Sequence, residues 1–328
     1  MRAIVITRPG GPDVLQLRQV ADPEPGEKEI RVRVIATAVN RADLLQRRGQ
    51  YPAPAGALAD VPGLEYSGIV HKVGRRVCRW RVGDRVMGLV PGGGYADFVV
   101  VHEREVLRVP RDMPIEQAAA IPEAFFTAYD ALVTQAGLRP HDWVVIHAAA
   151  SGVGTAAAQI ASVMGARVAG TTRSAWKLAR LGEVGVELPI DASLDFVVPV
   201  LEASNGHGAD IILDLVGGGY LGWNVQLLAK KGRLLIVGLV AGNAAQLDMR
   251  ATLSKRLRVI GTAMRSRSLD EKIAVVSAFE RDVMPLFRAG TLRPVIDRVL
   301  PMYRVREAHH LVERNSTFGK IVLVWDPV

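Results

Sequence analysis

The segment covering residues 143–166 constrains the fold more than any other part of this sequence. It contains no Asp, Glu, Lys or Arg, and it is long enough to cross a bilayer as one helix. Its middle, residues 149–154 (Ala-Ala-Ser-Gly-Val-Gly), separates a run rich in β-branched residues from an alanine-rich run. This order is typical of a buried strand, a tight turn and a buried helix, so it indicates an α/β core rather than a membrane span.

The same alternation continues through the middle of the chain. Apolar runs recur with helical stretches between most of them, and they predict strands over 143–148, 167–171, 209–215, 233–238 and 259–263. Strands that alternate with helices form a parallel sheet that is covered on both faces.

The first 120 residues follow a different pattern. Short Val/Ile-rich runs alternate with Gly/Pro turns, which predicts an antiparallel, barrel-like sheet with strands over 3–7, 29–38, 68–73, 84–89 and 96–101. After residue 264 the pattern predicts a helix over 269–289, a strand over 297–300, a helix over 305–314 and a strand over 320–325. These elements are too few to form a domain. We therefore expect residues 265–328 to complete the domain of residues 1–120, with an α/β domain over 121–264 inserted between them.

Length and composition agree with two globular domains. A chain of 328 residues exceeds what one hydrophobic core usually organises, and its 49% hydrophobic and 23% charged residues exclude a chain too polar to bury a core. The single cysteine, Cys78, excludes an internal disulfide and a cysteine-based zinc site, which favours a reducing cytoplasm. The N-terminus lacks the apolar run of a signal peptide, and no membrane association is expected.

The charge pattern argues against nucleic acid as the main partner. The formal net charge is +8, but the basic residues are scattered and lack the interleaved aromatic residues of a stacking platform. The histidines also offer no metal site. His309 and His310 are adjacent on a predicted helix and point about 100° apart, and His147 has no partner at ligand spacing.

The turn at residues 149–154 has the context of a dinucleotide-binding loop. It ends a predicted strand and opens a predicted helix, where free backbone N–H groups and the helix dipole bind a pyrophosphate. The glycine-x-glycine-x-x-glycine template is degraded, because Ala149 and Ser151 occupy the first two glycine positions. Ser151 must either push the phosphates outward or donate its hydroxyl to them. The expected coenzyme contacts are Ser151, Gly152, Val153 and Gly154; a glycine-rich turn without a ligand is the alternative.

The end of the second α/β strand indicates which coenzyme is bound. NAD-binding loops place a carboxylate there for the ribose 2′-hydroxyl, whereas residues 170–177 contain Arg173 and Lys177 and no carboxylate. Two cations suit the extra 2′-phosphate of NADP through charge-assisted hydrogen bonds, so the predicted cofactor is NADPH. In the alternative, both side chains are solvated and bind nothing.

Six motifs stand in a fixed order along the chain: Asn40-Arg41-Ala42-Asp43-Leu44 with Gly49-Gln50-Tyr51, Pro62-Gly63-Leu64-Glu65-Tyr66-Ser67-Gly68, Val82-Gly83-Asp84-Arg85-Val86, Ala119-Ala120-Ile121-Pro122, Ala150-Ser151-Gly152-Val153-Gly154 and Gly319-Lys320-Ile321-Val322. As a set, they resemble the medium-chain dehydrogenase/reductase superfamily, and specifically its zinc-free quinone oxidoreductase (zeta-crystallin-like) branch. The resemblance covers essentially the whole chain. It implies an α/β fold in which a GroES-like β-barrel catalytic domain carries an inserted Rossmann domain with a doubly wound parallel sheet.

The resemblance also identifies the positions of the superfamily's catalytic zinc ligands. The metal-dependent alcohol dehydrogenases use a cysteine, a histidine and a third cysteine, histidine or carboxylate, and the matching positions here are Asn40, Leu64 and roughly Glu123. An amide, an alkyl group and one carboxylate do not form the three-ligand site of catalytic zinc. We therefore expect no metal, and a hydride acceptor that itself stabilises negative charge, such as a quinone or an α,β-unsaturated carbonyl.

Further site residues are implied by the resemblance. Asn40, beside the nicotinamide, and Tyr51, a wall of the substrate slot, are the predicted catalytic residues. Tyr51 is also the one candidate proton donor, although water can protonate the product equally well. The further coenzyme contacts implied are Asn40, Thr127, Gly217, Gly238, Leu239 and Lys320. In the alternative, Asn40 only caps a turn, Tyr51 only packs and Lys320 is solvated.

Two local features leave alternatives open. The branch often has a tyrosine near the third strand that helps to hold the adenosine phosphate, and the equivalent stretch here contains Asp191. This difference weakens the preference for NADPH. The cations of residues 265–268 either neutralise a phosphate or face water.

The sequence thus predicts a cytoplasmic, NADPH-dependent and metal-independent quinone oxidoreductase that acts on a small quinone or enone. The nearest alternative is an enoyl or alkenal double-bond reductase. An RNA-binding or structural, crystallin-like protein is the alternative from another class. The resemblance also implies a homodimer, in which the strands over 233–238 and 259–263 extend one sheet into another across a two-fold axis.

Overall fold

The computed structural model describes residues 1–54 and 56–325, which form two compact units. Unit 1 consists of Met1–Phe126 and the segment that begins at Met264, and unit 2 consists of Thr127–Ala263. The strands are β1 (Arg2–Ile6), β2 (Leu15–Gln19), β3 (Glu29–Ala38), β4 (Glu65–Val73), β5 (Arg85–Leu89), β6 (Phe98–His102), β7 (Val106–Arg108), β8 (Trp143–Ile146), β9 (Arg167–Thr172), β10 (Leu188–Asp191), β11 (Ala209–Asp214), β12 (Leu228–Ile236), β13 (Arg258–Gly261), β14 (Ile296–Pro301) and β15 (Lys320–Val324).

The α-helices are α1 (Arg41–Arg47), α2 (Ile115–Ala118), α3 (Pro122–Tyr129), α4 (Gly152–Val163), α5 (Ala175–Leu178), α6 (Val197–Ala203), α7 (Tyr220–Leu227), α8 (Met249–Lys255), α9 (Leu269–Asp282), α10 (Met284–Arg288) and α11 (Val305–Glu313). A π-helical segment, Asp130–Gln135, follows α3, and short 3₁₀ helices cover Pro12–Val14, Leu181–Val184 and Met302–Arg304. None of the helices in the described residues has the length and apolar content that crossing a membrane requires.

Unit 1 is built around a largely antiparallel sheet. Its strand order is β14-β15-β3-β4-β5-β7, with β6 also paired to β3, and a separate two-stranded sheet joins β1 and β2. The long strand β3 is central, because its first half pairs with β6 and its last residues pair with β15. The C-terminal segment therefore adds β14 and β15 to the sheet begun by the N-terminal segment. Side chains of both segments share one core, including Val32, Tyr66 and Leu323.

Unit 2 is a six-stranded sheet in which every pair is parallel, in the order β10-β9-β8-β11-β12-β13. This is the 3-2-1-4-5-6 order of a doubly wound dinucleotide-binding fold. Strand β8 is buried at all four positions, as expected for a strand covered on both faces. The α/β fold class predicted from the sequence is confirmed.

One expectation about an individual element is wrong. The helix predicted over 269–289 is two helices, α9 and α10, because Pro285 in the first turn of α10 has no N–H to continue the helical hydrogen bonds. The strand predicted over 233–238 is not at an edge, because β12 lies between β11 and β13. Of the two strands expected to pair across a two-fold axis, only β13 has an open edge in this sheet.

Candidate active site

A buried ion pair with an amide beside it is the polar centre of unit 1. The Lys320 Nζ donates to Glu65 Oε1 over 2.7 Å and also to Asn40 Oδ1. The Asn40 Nδ2 donates to the same Glu65 oxygen over 2.8 Å. The Lys320 and Glu65 side chains are 5% and 0% exposed, so the two charges compensate each other away from water. The alternative in which Lys320 is solvated is therefore wrong. We call these residues the Asn40–Glu65–Lys320 cluster.

Strand register brings the cluster together. Val322 of β15 pairs with Ala38 of β3, which places Lys320 beside the residues that follow β3. On the other side of β3, Ser67 of β4 pairs with Ala36, which places Glu65 at the same end. The cluster therefore forms where three strands from distant parts of the sequence meet.

Asn40 also begins helix α1. Its backbone N–H donates to Asp43 Oδ2 over 2.8 Å, and Asp43 Oδ1 accepts the Gly63 N–H over 3.0 Å. Tyr95 donates its hydroxyl to Asp43 over 3.2 Å. Burial raises the pKa of Asp43 to about 6, against hydrogen bonds that favour the carboxylate. Asn40 thus caps a helix and takes part in the cluster at the same time.

Glu123 lies next to this cluster. Sequence reasoning considered it only as the position that roughly matches a zinc ligand of the metal-dependent relatives. It is in the first turn of α3, and its backbone N–H donates to Glu65 Oε2 over 2.8 Å. Loss of hydration and the nearby Glu65 carboxylate raise the pKa of the Glu123 carboxyl to about 8, although Lys320 opposes the shift. The side chain of Glu123 is therefore largely protonated at neutral pH. Sequence reasoning missed this property because it depends on Glu65, which is 58 positions away.

A cleft of about 310 Å³, counting its open mouth, lies in unit 1 beside Glu123. It has apolar walls and a few polar groups, which is the composition expected of a small-molecule site. The walls are Leu64, Leu89, Val90, Pro91 and Met264, and the polar groups are Glu105, Glu123, Arg265 and Lys272.

Arg265 holds the loop that carries Tyr51. Its guanidinium donates to the Tyr51 carbonyl over 3.2 Å, to the Pro91 carbonyl over 2.7 Å and to Gln46 Oε1 over 2.8 Å. The guanidinium carbon also lies 4.9 Å from the centroid of the Tyr51 ring. Arg265 is the first cation of residues 265–268, and it is 9% exposed. It is therefore neither solvated nor a phosphate ligand, because its guanidinium is bonded to oxygen atoms of the protein. Tyr51 is thus held beside a cleft-lining side chain.

The predicted dinucleotide loop of unit 2 is a strand–turn–helix. Ser151 is the N-cap of α4, and its hydroxyl oxygen accepts the Gly154 N–H over 3.1 Å. Gly154 has no room for a side chain, because an added Cβ lies 2.5 Å from the Ala148 carbonyl oxygen. Ser151 has ordinary extended torsions, so the second glycine position does not require glycine here. The backbone N–H groups of Gly152 and Val153 lie in the first turn, where helix geometry provides no acceptor, and they fit a bound phosphate.

The two predicted phosphate cations differ in their surroundings. Arg173 follows β9 and is exposed, whereas Lys177 is buried at 6% exposure with its Nζ 5.3 Å from the centroid of the Trp176 ring. The solvated alternative is therefore wrong for Lys177. Asp191, the last residue of β10, pairs with Thr172, the last residue of β9. The end of β9 that precedes Arg173 therefore has a carboxylate on the neighbouring strand. Hydrogen bonds from Ser193 lower the pKa of Asp191 and keep it charged.

The glycines predicted to line the coenzyme groove are in mutual contact. Gly217 has φ +70°, and a Cβ added there lies 3.0 Å from the Gly238 carbonyl oxygen and from the Leu239 side chain. A Cβ on Gly238 lies 2.5 Å from the Leu215 carbonyl oxygen. These residues follow β11 and β12, so the structure brings the two strand-end loops together. Leu239 is 54% exposed at this place.

A buried hydrogen-bonded chain supports these loops. Gly217 donates its N–H to Asp214 Oδ1 over 2.8 Å, and Asn224 Nδ2 donates to Asp214 Oδ2 over 3.0 Å. His147 Nε2 then lies 2.7 Å from Asn224 Oδ1, and its Nδ1 lies 3.0 Å from Thr171 Oγ1. Burial lowers the pKa of His147, so the ring is neutral at pH 7 and donates from Nε2 to the amide oxygen. Sequence reasoning assigned this histidine no role, although its position at a strand end was a signal.

Thr127 is the remaining predicted contact. It lies on α3, four residues after Glu123, and is the first residue of unit 2. Its side chain is partly exposed. In residues 1–54 and 56–325, His, Cys, Asp and Glu side chains form no group of three with the spacing to hold a metal ion.

Comparisons with known proteins agree with this fold. The model of the alcohol dehydrogenase GroES-like domain matches residues 26–111, and that of a zinc-binding dehydrogenase matches residues 152–280. The chain is 31% identical to a quinone oxidoreductase of Lama guanicoe, over 99% of this chain and 97% of that protein. It is 33% identical to a synaptic vesicle membrane protein VAT-1 homolog of Danio rerio, over 100% of this chain and 70% of that protein.

Solved structures extend the similarity. An NAD-dependent alcohol dehydrogenase is 33% identical with a TM-score of 0.89, covering 99% of this chain and 100% of that one. The Escherichia coli quinone oxidoreductase complexed with NADPH is 27% identical with a TM-score of 0.88, over 99% and 100% of the two chains. The apo form of JamJ enoyl reductase is 25% identical with a TM-score of 0.89, over 98% of each chain. With its motifs, fold and full-length relatives in agreement, this chain belongs to the medium-chain dehydrogenase/reductase superfamily and is an oxidoreductase of that group.

Proposed function

We propose that this protein reduces quinones or related conjugated carbonyls with NADPH and without a bound metal. The observation that carries the proposal is the Asn40–Glu65–Lys320 cluster beside Leu64. Two positions that match zinc ligands in the metal-dependent relatives are here an amide, already bonded to an ammonium and a carboxylate, and an alkyl group. This set does not supply the three donors that catalytic zinc requires. An acceptor whose own conjugation stabilises negative charge suits such a site.

The proposed coenzyme site is the N-terminus of α4 with the strand-end loops of unit 2. The amides of Gly152 and Val153 and the helix dipole suit a pyrophosphate, and Gly154 lets helix α4 pack closely on the end of β8. Arg173 is the proposed ligand of the 2′-phosphate, and the NADPH complex of the E. coli quinone oxidoreductase supports NADPH as the coenzyme. When bound, NADPH supplies a hydride and its two electrons. The residues of this chain bind the coenzyme, orient it and exclude water.

The proposed acceptor site is the cleft of unit 1. Its apolar walls suit the ring of a quinone, and Tyr51, whose ring lies beside the cleft-lining Arg265, is the proposed further wall. An enoyl or alkenal reductase is the second candidate, because JamJ enoyl reductase shares the fold over 98% of this chain. Both candidates use the same hydride transfer and differ in the shape of the acceptor.

We also infer a homodimer. Strand β13 forms one of the two edges of the unit 2 sheet, and helix α8, which precedes it, buries none of its residues in this chain. Met249 and Leu253 lie one turn apart on α8 and are 72% and 79% exposed. A second copy that covers this edge would bury both side chains and pair the open strand.

One experiment tests the proposed reaction. Purified protein is mixed with NADPH and a panel of ortho-quinones, para-quinones and enones, and the loss of NADPH absorbance is followed together with the metal content of the sample. We expect turnover with quinones in metal-free protein. Turnover with enones alone assigns the protein to the second candidate, and no oxidation with any acceptor, or stoichiometric metal needed for turnover, refutes the proposal.

A further inference from the structure

We propose that Glu123 is the proton donor of the reaction and protonates the acceptor after hydride transfer. This inference rests on the proposed function but concerns a separate step. Reduction by a hydride alone leaves an anion on the acceptor, and the product becomes neutral only when a proton follows. Tyr51 was the one donor that the sequence offered, and the structure places a carboxyl group in the cleft as well.

The position of Glu123 is the first argument. Its side chain lines the cleft together with the apolar side chains of Leu64, Pro91 and Met264. Its backbone N–H is bonded to Glu65, so the start of α3 is tied to the Asn40–Glu65–Lys320 cluster. Asn40 is the residue expected beside the nicotinamide, so the bond to Glu65 ties Glu123 to the residues proposed to lie near the hydride donor.

The charges around Glu123 are the second argument. Glu65 and Asp43 are acidic and disfavour a second negative charge, whereas Lys320 and Arg265 favour one. The Lys320 ammonium is shared between Glu65 and Asn40, and Arg265 is engaged by two carbonyl groups and Gln46. Burial of the carboxyl, together with the Glu65 and Asp43 charges, raises the pKa of Glu123 and keeps a transferable proton in the cleft at pH 7.

The other polar groups of the cleft are poorer donors to the same place. Arg265 does not lose a proton in proteins. Burial raises the pKa of the Tyr51 hydroxyl above its usual value, which makes the phenol a weaker acid than Glu123. Glu105 and Lys272 line the cleft, but no described hydrogen bond joins them to the Asn40–Glu65–Lys320 cluster. Glu105 also has a raised pKa through burial, opposed by Lys272.

The step balances as follows. The acceptor gains a hydride, and thus two electrons, from the C4–H bond of the reduced nicotinamide, which becomes oxidised. The oxygen anion formed on the acceptor then bonds to the proton of Glu123 as the carboxyl O–H bond breaks. Glu123 is left as a carboxylate, and its partly exposed side chain regains a proton from water. The sum is NADPH, one proton and the acceptor giving NADP⁺ and the reduced acceptor.

The test compares pH profiles of kcat for the wild type, Glu123→Gln and Glu123→Asp, with a para-quinone as acceptor. We expect wild-type kcat to fall as the pH rises through about 8, where Glu123 loses its proton. Glu123→Gln should lower kcat by about 100-fold and abolish this limb, with the Kd for NADPH unchanged. Glu123→Asp should retain part of the activity with a displaced limb. Asp112→Asn, an exposed carboxyl on the loop before α2, is the control and should leave the profile unchanged.

Several outcomes overturn the inference. These are a wild-type profile without a limb near pH 8, a limb that persists in Glu123→Gln, a limb that stays at the wild-type pH in Glu123→Asp, or a limb that disappears in Tyr51→Phe instead. If Glu123→Gln does not fold, as judged by its NADPH binding and thermal unfolding, the wild-type profile and Glu123→Asp decide. Failure of the wild type to oxidise NADPH with any acceptor refutes the proposed function rather than this step. Turnover that is independent of Glu123 refutes only the step.

Discussion

The Lys320 Nζ lies 2.7 Å from Glu65 Oε1, although the two residues are 255 positions apart in the sequence. Lys320 comes from the segment after the inserted unit and Glu65 from the segment before it. Their ion pair is therefore a contact that unit 1 acquires only when both of its segments have come together.

Breaking this pair should destabilise unit 1. Lys320→Met leaves the Glu65 carboxylate buried without its cation, and we expect the free energy of unfolding to fall by about 3–5 kcal/mol. The double variant Glu65→Leu with Lys320→Met removes both charges, so its free energy of unfolding should fall by less than that of Lys320→Met. Urea unfolding measures both, with the exposed Lys230→Met as the control. A loss below about 1 kcal/mol in Lys320→Met would show that the pair contributes little.

Gly154→Ala should weaken coenzyme binding. The new Cβ would lie 2.5 Å from the Ala148 carbonyl oxygen, so helix α4 must move away from the end of β8. We expect the Kd for NADPH to rise at least about tenfold, because the amides of Gly152 and Val153 move with the helix. Fluorescence titration with NADPH measures this change. Gly222→Ala is a matched control in the same unit, since no atom lies within 4 Å of its added Cβ, and it should bind NADPH normally.

Coenzyme preference should depend on two opposite charges at one strand end. Arg173→Ala should weaken NADPH binding by about 10- to 100-fold, because it removes a charge-assisted hydrogen bond to the 2′-phosphate. NADH lacks this phosphate, so its binding should be nearly unchanged. Asp191→Asn should strengthen NADPH binding, because its carboxylate repels the 2′-phosphate. Dissociation constants for both coenzymes measure these effects, with Arg180→Ala as the control. Equal losses for NADPH and NADH in Arg173→Ala would contradict a role at the phosphate.

The proposed dimer should depend on α8. Leu253→Glu places a charge on a side chain that is 79% exposed in this chain and that a second copy would bury. We expect the variant to sediment as a monomer at concentrations where the wild type is dimeric. Leu194→Glu, which changes another exposed leucine of the same unit, should not alter the mass. A dimeric Leu253→Glu variant would show that the interface lies elsewhere. A monomeric wild type would show that the protein forms no dimer.

Local sequence determined the parts of this protein that depend on neighbouring residues. Residues 143–163 contain a strand, a tight turn and a helix in immediate succession, so their pattern alone predicted β8, the loop at Ser151 and α4. The need for glycine at position 154 was also readable, because it arises from the close packing of a helix on the strand before it. Pro285, which divides α9 from α10, could also be read from the sequence as a helix break. The prediction of one helix over 269–289 did not take it into account.

Tertiary structure alone decided the chemistry of unit 1. The charge of a carboxyl depends on its distance from other charges and on its contact with water, and neither is written in the order of residues. Glu123 has a raised pKa because packing buries its carboxyl and because β4 places Glu65 beside α3. Arg265 holds Tyr51 because the segment after unit 2 lies beside that loop. The sequence also did not show that β13 lies at an edge of its sheet, because this depends on the order of the strands in the folded sheet. Strand pairing over long separations creates these contacts, and it is determined by how the whole chain packs.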